Sequence, residues 1–141
     1  FDGGRPRDSI IYDTACRVIR SAKKVYYVSQ MCPSGRLAQA IISTDNECYF
    51  IQPHQADPPA NLALLFDTWR YKITNRYHGK TYIHAKFILA IDKDGSKHII
   101  SGSNNFSWRG VAYGTKEIAI HSTDEQLWDT FYNYLRQHIA N

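Results

Sequence analysis

Two short spacings in this chain carry the groups of a phosphate chemistry. His84 and Lys86 stand two residues apart in the apolar run Tyr82-Ile83-His84-Ala85-Lys86-Phe87-Ile88-Leu89-Ala90-Ile91, and Ser103 and Asn105 stand two apart at the end of a second run. Side chains at i and i+2 of a strand share a face, so two adjacent strands bring these four residues together. The result is an imidazole, an ammonium and two neutral hydrogen-bonding groups. An imidazole can attack phosphorus or protonate a leaving oxygen, while an ammonium and an amide stabilise charge on non-bridging oxygens, so the set suits a phosphodiester.

The surrounding pattern supplies elements that can hold them. Residues 9–22 place Ile10, Ile11, Thr14, Ala15, Val18, Ile19 and Ala22 at helical spacing, with Asp8 as N-cap. Residues 25–28 read as a strand. A break at residues 31–35 follows, and Ser34 caps a short helix through Ile42. Residues 48–51 read as the next strand, and residues 61–73 as a helix with Leu62, Leu65, Phe66 and Trp69 on one face. The motif strand is residues 81–91, apolar enough to be buried on both sides. Its partner is residues 97–102, across a hairpin turn at Asp94-Gly95. A strand at 115–121 and a final helix complete the chain. That helix carries Leu127, Phe131, Leu135 and Ile139 every four residues, and Ser122-x-x-Glu125 and Thr123-x-x-Gln126 are alternative capping-box candidates for its start. The expected class is α/β: a mixed sheet flanked by helices on both faces, with residues 1–141 forming a single domain.

With Glu117 in Gly114-Thr115-Lys116-Glu117-Ile118-Ala119-Ile120 added, the three pieces resemble the HKD motif of the phospholipase D superfamily: His84-x-Lys86, then Gly102-Ser103-x-Asn105, then a glutamate on the following strand. The resemblance implies one half of an α-β-α sandwich and a metal-independent phosphodiesterase or phosphatidyltransferase working through a phosphohistidine, with no cofactor. In its terms His84 is nucleophile or general acid, Glu117 orients an imidazole, Lys86 and Asn105 hold the non-bridging oxygens, and Ser103 braces the histidine or the phosphate. The sequence departs from the family pattern in one place. Five residues rather than four separate Lys86 from Asp92, so Asp92 is assigned to the hairpin turn and not to the site.

Family members bring two such motifs to one site, and this sequence holds one. The second half-site is expected from the same parent chain or from a homodimer. The opening on Phe1 and the linker-like residues 2–7 favour the C-terminal half of a two-motif enzyme, most like the bacterial cardiolipin synthases. A phospholipid is therefore the first expected substrate, with DNA or RNA as the alternative. A third reading is a domain used for assembly or nucleic-acid binding; the intact His, Lys, Asn and Glu weigh against it.

Composition is compatible with these readings. The formal net charge is +4, with Lys and Arg spread along the chain, which suits a phosphate-bearing partner without requiring one. No apolar run reaches bilayer length and no signal sequence is present, so a soluble domain is expected, with any membrane association supplied from outside this segment. Cys16, Cys32 and Cys48 lack metal-site or disulfide spacing and read as free thiols. His54, His78, His98, His121 and His138 show no ligand spacing, so no metal is expected.

Overall fold

The computed structural model describes residues 10–29, 35–51, 73–77, 85–102 and 118–139. In chain order these are α1 (Ile10–Ser21), β1 (Ala22–Val28), α2 (Gly35–Ser43), β2 (Glu47–Ile51), β3 (Ile73–Tyr77), β4 (Phe87–Asp92), β5 (Lys97–Gly102), β6 (Ala119–Ser122) and α3 (Glu125–Tyr134), which runs on into a π-helical turn over Leu135–Ile139.

The strands form one six-stranded mixed sheet in the order β3-β2-β1-β4-β5-β6. β1 is parallel to β2, and β2 to β3. β4 is antiparallel to β1, β5 to β4, and β6 to β5. Strand alternation divides the core into two layers. Val25, Tyr27, Ile88, Ala90 and Ile100 face α1 and α2, where they meet Ile11, Ala15, Ile19, Leu37 and Ile41. Tyr26, Val28, Phe87, Leu89 and Ile99 face the other way and are covered by Trp128 and Leu135, with Phe131 and Tyr132 packed alongside. Phe87 through Ala90 are therefore all buried, which explains the unbroken apolar run at this point of the sequence. The expected helix-flanked mixed sheet is the architecture observed.

Several boundaries differ from expectation. Residues 61–72 lie outside the described residues, but Ile73 begins strand β3 instead of closing a helix. With Ile73 and Tyr77 as its only large apolar residues, this edge strand has too little alternation to announce itself. The motif strand begins at Phe87, later than 81, so Ala85 and Lys86 precede it. β6 likewise starts at Ala119, and residues 115–117 lie outside the described residues. Neither Ser122 nor Thr123 caps α3. Asp124 does so, its carboxylate accepting from the Leu127 N–H at 2.9 Å, while the Ser122 hydroxyl accepts from the Asp124 N–H at 3.1 Å. A carboxylate both accepts the bond and lies at the positive end of the helix dipole. Ser34 and Cys32 lie outside the described residues; Cys16 and Cys48 are free and buried.

One polar contact ties α1 to α2. The Leu37 N–H, in the first turn of α2, donates to the buried Tyr12 hydroxyl at 2.9 Å. A helix's first amides have no partner within the helix, so this hydroxyl satisfies a group that burial would otherwise leave unpaired. We expect Tyr12→Phe to lower unfolding stability by about 1–3 kcal/mol; chemical denaturation checks this, and an unchanged midpoint would show that the bond contributes nothing net.

At the hairpin end of the sheet His98 and His121 meet across β5 and β6. His98 Nδ1 and His121 Nε2 are 3.0 Å apart. The ring centroids are 5.3 Å apart and the planes are inclined by only 19°. The facing nitrogens thus lie between the rings, edge to edge, and share one proton. Burial first, then the neighbouring positive charges of His98 and Arg17, hold the His121 imidazole below its ordinary 6.5. Its folded-state value is depressed, so the unfolded chain binds more protons as pH falls through 6.5. Stability should accordingly be full above that pH and decline below it. Denaturant midpoints measured from pH 7.5 downward should fall in the wild type and fall less in His121→Gln.

Candidate active site

β1, β2 and β3 run parallel and finish at Val28, Ile51 and Tyr77, which are register partners in turn. Val28 pairs with Phe87, the first residue of β4, and Phe87 pairs with Ser101 near the end of β5. Gly102, the last residue of β5, pairs with Ala119, the first of β6. One end of the sheet therefore gathers the carboxyl ends of three parallel strands, the entry to β4, the exit of β5 and the entry to β6.

Of the predicted site residues, Lys86 is described: it is half-buried and immediately precedes β4. His84, Ser103, Asn105 and Glu117 lie outside the described residues, as do His54 and His78. The expectation that Lys86 sits within the strand is corrected; the backbone joins the ladder one residue later, at Phe87. Lys86 lines a cavity of about 620 Å³ together with Ala85, Phe87, Ser101, Gly102, Thr130, Phe131 and Tyr134. Sequence reasoning placed the α3 residues on a helix, but gave no reason to connect them with the site. Ser29, fully buried just past the end of β1, was also not singled out. The helical period showed only that Phe131 faces inward.

Asp92 is at the opposite end of the hairpin. Its N–H donates to the Ser96 carbonyl at 2.7 Å, its carbonyl accepts from the Gly95 N–H at 2.9 Å, and its carboxylate accepts from the Lys93 N–H at 2.6 Å. Asp92 is thus a turn residue. Gly95 has φ +91°, a conformation glycine adopts without a side-chain penalty. The longer spacing between Lys86 and Gly102 is taken up at this tip, away from the strand ends.

Gly102 has a steric role visible in the backbone. A Cβ placed on it would overlap the Ile118 carbonyl oxygen and come within 2.6 Å of the Ala119 Cα. The glycine of Gly102-Ser103-x-Asn105 is therefore what lets β6 lie against the end of β5. Ala119 is itself buried in the α1/α2 layer, so β6 cannot retreat without opening the core.

Among the described residues, no group of three or more His, Cys, Asp or Glu could hold a metal ion. No helix among them is long and apolar enough to cross a membrane.

The sequence matches no family model. It also matches no curated protein. Solved structures do share the fold. Nuc from Salmonella typhimurium, a phospholipase D family member, is similar with TM-score 0.71 at 12% identity, over 88% of this chain and 83% of Nuc. NucT from Helicobacter pylori is similar with TM-score 0.70 at 15% identity, over 90% of this chain and 86% of NucT. Yeast tyrosyl-DNA phosphodiesterase aligns with TM-score 0.60 at 14% identity, over 82% of this chain and 30% of the larger protein. The chain thus has the α/β fold of the phospholipase D superfamily.

Gly102→Ala tests the steric argument. Overpacking of this kind costs about 1–3 kcal/mol, and the substitution should lower the thermal midpoint accordingly; an unchanged midpoint would mean that β6 adjusts freely.

Proposed function

We propose that the chain supplies the catalytic half-site of a metal-independent phosphodiesterase. The observation that carries this reading is the meeting of three strand ends around Lys86. His84 is two residues before Lys86, which directly precedes β4, Ser103 follows Gly102 directly, and Glu117 precedes Ile118 directly. Consecutive Cα atoms are about 3.8 Å apart, so residues joined so closely to neighbouring strand ends attach at the same end of the sheet. A histidine, a lysine, a serine, an asparagine and a glutamate are then available to one phosphate.

The roles follow from the chemistry. The imidazole of one half-site attacks phosphorus, forming a P–N bond as the P–O bond to the leaving group breaks. The imidazole of the second half-site gives its proton to the departing oxygen, then takes one from the water or alcohol that displaces the phosphohistidine. Lys86 and Asn105 neutralise the non-bridging oxygens, Ser103 braces the phosphate, and Glu117 fixes the orientation of an imidazole. The partner half-site comes from a second copy of the chain or from the same parent chain.

Two substrate classes fit this site. The sequence resemblance to cardiolipin synthases favours a phospholipid. The likeness to a tyrosyl-DNA phosphodiesterase and the net charge of +4 favour a nucleic acid.

Hydrolysis of bis-(p-nitrophenyl) phosphate in EDTA tests the reading common to both. Activity should rise faster than linearly with protein concentration if the site is a homodimer's, and His84→Ala should reduce it at least a thousandfold, on the order expected for a lost nucleophile. Full turnover in a folded His84→Ala variant would overturn the proposal.

A further inference from the structure

β6 is four residues long and, among the described strands, forms an edge of the sheet paired with β5 alone. Its apolar side chains give it little to hold on to. Ile118 and Ile120 are 71% and 52% exposed, while Ala119 is buried opposite Gly102 at the site end. The tie at the far end is polar: His121, opposite Ile100 in the register, brings its Nε2 to 3.0 Å from Nδ1 of His98 on β5. The strand so held begins directly after Glu117 and Ile118.

We propose that the His98–His121 pair is a proton-operated clamp, which holds β6 against β5 while His121 is neutral and releases it when His121 takes up a proton. A neutral imidazole carries one N–H and one bare ring nitrogen, so the contact joins the N–H of one ring to the lone pair of the other. A first proton, on His98, leaves it intact. Nδ1–H then donates to His121, and the other ring nitrogen of His98 lies 3.7 Å from the Asp92 carboxylate of β4 and 3.4 Å from the Ser96 hydroxyl of the turn. A second proton, on His121 Nε2, sets two N–H groups and two positive charges face to face, and the contact is lost. The surrounding charges sharpen this asymmetry. Asp92 and Asp94, on β4 and the turn, act on His98; burial, His98 and Arg17 of α1 all oppose a charge on His121. Acid therefore releases the strand from which Glu117 extends, and that consequence for a site rests on the phosphodiesterase reading, whereas the release itself does not.

Native-state amide hydrogen exchange tests the clamp, read as protection factors so that the pH dependence of intrinsic exchange divides out. In the wild type, protection of the β6 amides should fall below pH 6.5 by up to about tenfold per pH unit, the factor for one proton taken up on opening, while β4 keeps its protection. His121→Gln removes the titrating group, and its β6 protection should be level from pH 7.5 to 5. A merely structural histidine would instead lose protection equally at every pH. β6 protection that stays level in the wild type, falls in step with β4, or falls alike in His121→Gln would overturn the clamp. The wild type decides even if the variant does not fold: protection should fall between pH 6.5 and the midpoint of the His121 ring titration, followed by NMR, and level off beneath it, and a fall outside that interval would contradict the proposal. Hydrolysis of bis-(p-nitrophenyl) phosphate reads the link to the site. Rates should match at pH 7.5 and persist to lower pH in His121→Gln than in the wild type; coincident acid limbs would overturn that link. No turnover from either protein would count against the phosphodiesterase reading and not against the clamp, which the exchange data decide.

Discussion

The architecture depends on β4 being paired on both edges and buried on both faces. Its antiparallel register with β1 on one side and β5 on the other fixes Phe87 against both Val28 and Ser101. A slip of one residue would exchange Phe87 and Leu89 with Ile88 and Ala90, sending each pair into the wrong layer. Because that exchange would disrupt two cores at once, the start of β4 is held in place firmly. Whatever chemistry attaches there inherits that rigidity.

The neighbouring strand ends extend the constraint outward. Gly102 allows the β6 backbone to approach β5 more closely than any residue with a Cβ would, and the buried Ala119 keeps it there. α3 covers the other face through Trp128 and Leu135, so its inward turn brings Phe131 to the edge of the same region. The two ends of the β4–β5 hairpin consequently do different work. The tip absorbs a longer connection through Asp92, Gly95 and Ser96. The base stays in register and carries Lys86 and Gly102.

Much of this was legible because burial and turn chemistry leave local marks. α1 and the last helix follow from apolar spacing, and the hairpin from Asp94-Gly95 flanked by two apolar runs. The assignment of Asp92 to the turn likewise follows from where the extra residue falls. β3 was not legible: an edge strand needs little apolar alternation, and Ile73-Thr74-Asn75-Arg76-Tyr77 shows little. The cap of α3 was missed for a different reason. Ser122, Thr123 and Asp124 are all capable caps, and only the geometry selects Asp124. The contribution of α3 to the cavity was invisible because it brings together residues more than 40 positions apart in sequence, Lys86 and Phe87 with Thr130, Phe131 and Tyr134, which no local pattern encodes.

Binding of orthovanadate, a phosphate analogue that can adopt five-coordinate geometry, tests most directly whether the three strand ends gather one phosphate site. Titration followed by ⁵¹V NMR in EDTA would compare the wild type with His84→Ala before β4, Asn105→Ala after β5 and Glu117→Gln before β6. Saturable binding that each of the three substitutions weakens is the expected result. Vanadate bound equally well by the wild type and all three folded variants would mean that these strand ends do not form a common site.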